Sequence, residues 1–295
     1  MDHDNPTHDP SQAHVTPAGW YPAEGDPPGT VRRWNGTEWI GFPVRDPSIP
    51  MSPPTTSNTS SYDHDVSRWG IPDFLICSLL FFGLSIAFAI LAAAVTDPNQ
   101  TLPGVWLPLA VAVGPIAELL YVHWVGRRKG RGIELDFGFR YRKGDFGIGA
   151  TLFLAAMVTG AIIAAIWVAI AGEPPSAAAI DIAEESGEDG GLTIWIILFA
   201  LIGAILVPIV EELVFRGLLW SALEKRGLSP NWTLAITSVV FAGFHLELAR
   251  TPVLLAIGVL LGLGRRRTGR IAPSIIAHMI INSLGMIALV VEFAS

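Results

Sequence analysis

An all-α bundle that crosses a membrane several times, with a small tryptophan-rich module ahead of it, is the architecture to expect from this chain. Three features lead there. Of 295 residues, 51% are hydrophobic and only 15% charged. The apolar residues gather into long blocks instead of alternating with polar ones. Several blocks reach the roughly 20 residues that a helix needs to cross a bilayer. The expected partner is therefore a lipid bilayer, and no charge pattern calls for nucleic acid.

In chain order the expected membrane helices cover residues 71 to 95, 103 to 125, 146 to 171, 193 to 223, 231 to 248, 252 to 264 and 271 to 292. That gives seven, or eight if a block divides. The block at 252 to 264 is short enough for a re-entrant arm, which is allowed where other helices cover it. Cys77 in the first block is the only cysteine, which excludes an intrachain disulfide and any cysteine-rich metal site.

Loop charge sets the expected orientation. Arg127, Arg128, Lys129, Arg131, Arg140, Arg142 and Lys143 separate the second and third blocks, and Arg265, Arg266, Arg267 and Arg270 precede the last. Both loops belong in the cytoplasm by the positive-inside rule. The segment from Glu173 to Gly191 carries several acids and no Lys or Arg, as the outer side requires. A multi-pass protein of the plasma membrane with a cytoplasmic N-terminus follows. Trp69, Trp106, Trp124, Trp195 and Trp232 lie near helix ends as expected interfacial anchors. The polar tail lacks the basic start and early apolar core of a cleaved leader.

That tail divides into an expected disordered start at 1 to 15, a compact piece at 16 to 43 and a disordered linker at 44 to 68. The membrane domain fills 69 to 295. The linker, rich in Ser, Thr and Pro, cannot bury enough apolar surface to fold. The compact piece, "AGWYPAEGDPPGTVRRWNGTEWIGF", alternates turn formers with segments bearing Trp20, Tyr21, Trp34 and Trp39, and Asn35-Gly36 is a hairpin-type turn. At Gly19-Trp20-Tyr21-Pro22 and Arg33 to Trp39 it resembles the short DUF2510 module of actinobacterial membrane proteins. The resemblance implies a small cytoplasmic recognition module with a protein partner and carries no enzymatic activity with it; a structural cap with stacked aromatics is an equal reading.

The stretch "VPIVEELVFRG" places Glu211, Glu212 and Arg216 inside an apolar block, where an acid or arginine costs about 2.5–3.5 kcal/mol on insertion scales. Glu212 and Arg216 are four residues apart, on one helical face, and can neutralise each other. Glu211 points about 100° away and is left available. The same spacing recurs in "FAGFH", joining Phe241 to His245, and in "HMIIN", joining His278 to Asn282. Depth from the cytoplasmic ends of the blocks is about 18 Å for Glu211, 21 Å for His245, 11 Å for His278 and 17 Å for Asn282 at helical rise. Pro208 removes a backbone hydrogen bond at this depth, and the orphaned carbonyl needs water or a side chain.

"EELVFR", "FAGFH" and "HMIIN" match, in order and type, the EExxxR, FxxxH and HxxxN signature of the CPBP family, and the chain over 65 to 292 resembles that family. Its members are intramembrane proteases that include CAAX prenyl endopeptidases related to Rce1 and bacterial Abi or immunity proteins. The resemblance implies an endopeptidase acting on a membrane-associated peptide or protein at a buried, cytoplasm-facing site. Glu211 would be the base that activates water, Glu212 a supporting carboxylate held by Arg216, and His245 a second catalytic group. His278 and Asn282 would polarise the scissile carbonyl or stabilise its oxyanion. Amide hydrolysis needs such a base and such donors whatever the family. Glu211, His245 and His278 are also the candidate ligands of a zinc ion; with no HExxH motif they would have to converge from three helices, and the sequence leaves metal dependence open.

Two readings from other classes stay beside this one. A proton-coupled transporter also places Glu, His and Arg at mid-membrane, and a non-enzymatic scaffold or immunity-type protein would use the helices as an anchor. Phe241 is expected to pack beside the site, and Arg216 to be structural. Glu118 and His123 in the second block fall outside the motifs, with contact to the basic loop as their expected role.

Overall fold

The structure is a computed structural model that describes residues 16–46, 67–96, 104–172 and 192–294. The expectations for 1 to 15, for most of the linker and for the acidic loop lie outside the described residues. The chain divides into two compact units, Met1–Thr55 and Thr56–Ser295.

The first unit is a three-stranded antiparallel sheet of β1 (Gly19–Tyr21), β2 (Thr30–Trp34) and β3 (Trp39–Arg45), in that spatial order. Trp34 stands opposite both Gly19 and Trp39, and the two indoles meet edge to face at 5.2 Å. The hairpin between β2 and β3 spans Asn35 to Glu38, longer than a two-residue turn. The Asn35 side-chain oxygen accepts from the Thr37 and Glu38 amides at 2.9 and 2.8 Å, and Gly36 takes the positive φ of 102° that the loop demands. Val31 and Ile40 form its small buried interior, while Trp20 and Trp39 stay exposed.

The second unit is helical: α1 (Ile71–Val95), α2 (Trp106–Lys129), the single turn α3 (Ile133–Asp136), α4 (Asp145–Ala171), α5 (Ile194–Lys225), α6 (Pro230–Phe244), α7 (Thr251–Thr268) and α8 (Ala272–Ala294). Among the described residues, six of these helices are long and apolar enough to cross a membrane, α7 being counted with the Leu248–Arg250 turn that precedes it. This is a multi-pass, all-α membrane protein. The short helix is not the one expected. α7 has 18 residues and α6 only 15, so α6 is about 22 Å long at helical rise, against a hydrocarbon core of about 30 Å. The reason is local: α6 ends at Phe244, and Leu246 adopts a left-handed φ of 55°, which a helix cannot propagate.

α5 is the central element, packed against α1, α2, α6 and α8, whereas α4 lies outside it on α7 and α8. Thr193 caps the start of α5 by accepting from the Ile196 amide, and Ser229, followed by Pro230, caps α6 through the Trp232 amide. Within α5 the backbone is not uniform. Ile202–Leu206 and Leu213–Leu219 are π-helical and bracket the α-helical Val207–Glu212, an arrangement that recurs at functional sites.

Two expectations are corrected at the basic end of the bundle. Trp69 is 2% exposed and is no interfacial anchor. Its Nε1 donates to the Asp136 carboxylate at 3.0 Å, its ring meets Phe137 at 4.9 Å, and Lys225 Nζ lies 4.0 Å from its ring centre. Residues 67 and 68 are also bound and not free linker: Lys225 donates to the Ser67 and Trp69 carbonyls at 2.8 and 2.6 Å, and the Arg68 amide donates to the Lys129 carbonyl at 2.6 Å. Trp124, Trp195 and Trp232 remain exposed, as interfacial rings should be.

Candidate active site

The site is built on α5. Arg216 lies in the second π-helical segment with a fully buried side chain, and its Nη1 donates to Glu212 Oε1 at 2.9 Å. A guanidinium in such surroundings is stable only when paired and hydrogen-bonded; both terminal nitrogens are engaged, while Nε has no partner among the described residues. Nη2 donates to the Gly258 carbonyl of α7 at 3.0 Å, and the cation lies 4.3 Å from the Phe241 ring centre of α6. Gly258 admits this contact because α6 and α7 approach closely there. A Cβ at Gly258 would stand 3.2 Å from the Ser238 backbone.

Glu212 also joins α5 to α8. His278 Nδ1 is 3.0 Å from the same Oε1 that Arg216 engages. A carboxylate can only accept, so Nδ1 carries the proton and Nε2 faces the other way. It faces Glu211, whose Oε2 is 3.6 Å from Nε2, beyond direct hydrogen-bond range. The Glu211 side chain is 21% exposed and that of Glu212 is fully buried. One acid is tied down and its neighbour is held loosely beside an imidazole.

His245 follows the last residue of α6. Its Nδ1 donates to the Phe241 carbonyl at 2.9 Å, so Nε2 is its free atom in the neutral ring. The left-handed Leu246 comes directly after it. Phe241 lies between the two imidazoles, with centroids 4.8 Å from His245 and 5.8 Å from His278, both edge to face. Expected as packing, it is the hub that spaces the site. Among the described residues no hydrogen bond joins His245 to Glu211 or to His278.

Asn282 has a specific task in the fold. Its Nδ2 donates to the Gly203 carbonyl at 3.1 Å. The Val207 amide reaches back five residues to the Ile202 carbonyl, and in that π register Gly203 is the carbonyl that Pro208, lacking an N–H, leaves unpaired. A side chain from α8 therefore fills the gap that the proline opens. In an α register the orphan would have been Ala204.

The candidate zinc ligands do not assemble. Among the described residues no group of three His, Cys, Asp or Glu side chains is placed to hold a metal ion. His278 and His245 place Nδ1 on Glu212 and on the Phe241 carbonyl, which leaves both Nε2 atoms open. No metal step follows from this donor set.

Residues 193–284 match the family model described as Type II CAAX prenyl endopeptidase Rce1-like. Over this segment the chain is similar to the Rce1-like family. The segment runs from the cap of α5 into α8 and contains Glu211, Glu212, Arg216, His245, His278 and Asn282. A Bacillus subtilis (strain 168) protein named "Putative membrane peptidase YdiL" is 32% identical over 92 residues, which is 30% of this chain and 36% of that protein. The match thus spans about a third of the relative's length. No solved structure matches the chain significantly. The Rce1-like segment does not include the β-sheet unit.

Sequence reasoning passed over Gly258 and Gly203, whose carbonyls complete the Arg216 and Asn282 contacts. Gly258 and Gly262 stand four apart in "GVLLG", a small-residue spacing that marks close helix contact in membranes. Glu118 was misplaced. It does not reach the basic loop but is buried in α2, whereas His123, one turn later, is exposed.

Proposed function

We propose that this protein is an intramembrane endopeptidase whose buried site, open to the cytoplasm, hydrolyses a peptide bond in a membrane-associated substrate. The observation that carries the reading is the division of labour between adjacent acids. Glu212 is bound to Arg216 and His278, while Glu211 has a partly exposed side chain whose buried Oε2 faces His278 Nε2 without a hydrogen bond. Such an arrangement separates a reactive group from its support.

In this reading Glu211 takes a proton from a water molecule as the water oxygen attacks the scissile carbonyl carbon. Negative charge moves onto the carbonyl oxygen, where His278, in its doubly protonated form, offers Nε2–H. Glu212 fixes the direction of that ring from the opposite nitrogen, as an orienting carboxylate does for imidazole in other hydrolases. Asn282 retains one amide hydrogen for the same oxyanion. The Nε2 of His245 orients the water. Glu211 then passes its proton to the leaving nitrogen, the C–N bond breaks, and an acid and an amine depart.

The test is comparative proteomics of membrane peptides in cells expressing wild type or Glu211→Gln at equal levels. The reading expects a set of cleaved peptides that disappears with the substitution. Identical peptide sets in both strains would remove the peptidase reading, and loss of an ion flux instead would favour transport.

A further inference from the structure

Glu118 is the buried acid that the scheme above does not use. It lies near the middle of α2, eleven residues before Lys129, or about 17 Å along the helix. Glu211 lies fourteen residues before Lys225, about 21 Å by the same rise. The two acids therefore occupy one layer of the bundle. α2 packs along α5, including the Val207–Glu212 segment that carries Glu211.

Its surroundings set it apart. Glu118 is 4% exposed. Other buried acids of this unit have cationic partners: Asp73 has Lys129, Asp136 has Arg131, Asp145 has Arg270, and Glu212 has Arg216. The Glu118 side chain makes no hydrogen bond or ion pair with any described residue. Cys77 of α1 approaches it, but only toward the backbone carbonyl, at 4.0 Å. Arg216 is already engaged by Glu212 and Gly258. An acid at the centre of a membrane helix is costly and marks function by default, and here a carboxyl group lies in the layer of a second one with no cation supplied by any described residue.

We propose that Glu118 is a binding residue for a positively charged substrate side chain, so that the enzyme cuts next to Lys or Arg. The proposal rests on the peptidase reading. An ammonium or guanidinium that enters the layer donates charge-assisted hydrogen bonds to the Glu118 carboxylate. Its aliphatic stem lies against the apolar helix walls. A neutral side chain at that position would leave Glu118 uncompensated, and this is the basis of discrimination.

The experiment uses the full chain and maps new peptide termini in membranes from cells expressing wild type, Glu211→Gln, Glu118→Gln or Glu118→Asp. Termini present in wild type and absent in Glu211→Gln define the true cuts. The proposal expects these cuts to be enriched in Lys or Arg within two residues, with Glu118→Gln lowering them roughly 10- to 100-fold, the range for a hydrogen bond to a charged group. Glu118→Asp, which keeps the charge, should retain part of the activity. Glu211-dependent cuts without basic neighbours would overturn the proposal and leave the peptidase reading intact, and so would an unchanged profile in Glu118→Gln. Absence of any Glu211-dependent cut removes both. A second measurement does not depend on cleavage: in nanodiscs, an N-acyl-lysine amide should raise the Tm of wild type but not of Glu118→Gln. Equal shifts with the N-acyl-norleucine amide would contradict a charge-reading site.

Discussion

Helices α4 and α5 look alike as sequence, both long, strongly apolar and poor in charge, yet they live in different surroundings. Along α4 only Asp145, Gly149, Leu152 and Ala156 are buried, and its other residues are half-buried or exposed. In α5 every residue from Leu213 to Leu223 is buried. Hydropathy cannot separate the two, because lipid and protein interior are equally apolar solvents. What separates them is the polar content. α5 carries Glu211, Glu212, Arg216 and the irregular backbone around Pro208, none of which tolerates lipid, so the other helices must surround it.

The largest effect that sharpens this contrast is on chemistry. Glu211→Gln should lower cleavage by about 10²- to 10⁴-fold, the range for loss of a general base, with a smaller effect on thermal unfolding than loss of Glu212, because Glu211 meets His278 only at 3.6 Å and makes no direct hydrogen bond to it. An outward-facing change in α4, such as Ile162→Ala, should leave cleavage within twofold, read by the same mapping of termini.

The next effect is on stability. Arg216→Leu leaves Glu212 buried without its cation and should cost about 3–5 kcal/mol in unfolding experiments in detergent. Adding Glu212→Leu to it should recover much of that loss, since the uncompensated charge is then gone. If the double variant is as unstable as the single one, the guanidinium matters through its Gly258 and Phe241 contacts and not through charge.

How much of this was legible beforehand follows the same physics. The charges of "EELVFR" stand out against an apolar background, and their spacing of four correctly pairs Glu212 with Arg216. The membrane architecture was equally plain, since about 20 apolar residues in a row have few other uses. Contacts between helices were not legible. Nothing local in "HMIIN" says that His278 turns to Glu212 or that Asn282 serves the Gly203 carbonyl, because both partners are some 70 residues away in the chain. The misjudged lengths of α6 and α7 have a local cause: apolar composition continues through Leu246 and Leu248, while the backbone turns at Leu246. Trp69 was misread because a tryptophan near a helix end is ordinarily interfacial, and only the buried Asp136 behind it shows otherwise.

Smaller effects test the packing. Gly258→Ala should cost about 1–3 kcal/mol, as overpacking does, because its Cβ would press on the Ser238 backbone at 3.2 Å. Gly160→Ala in α4, whose Cβ would meet nothing closer than Val253 at 3.9 Å, should be neutral or stabilise by up to about 1 kcal/mol. The smallest change expected is at Leu246. Leu246→Gly relieves about 1 kcal/mol of left-handed strain and should raise thermal stability slightly while reducing cleavage several-fold, since the chain after His245 is then free to move.

The claim on which the account turns is that α5 and α8 meet through Glu212 and His278, and a double-mutant cycle on that pair measures it most directly. Unfolding free energies of wild type, Glu212→Gln, His278→Phe and the double variant would be compared in bicelles. The structure predicts a coupling of about 1 kcal/mol or more, within the range for contacting residues. Additivity within about 0.3 kcal/mol, as for independent sites, would mean that the two side chains do not meet and that this site does not form.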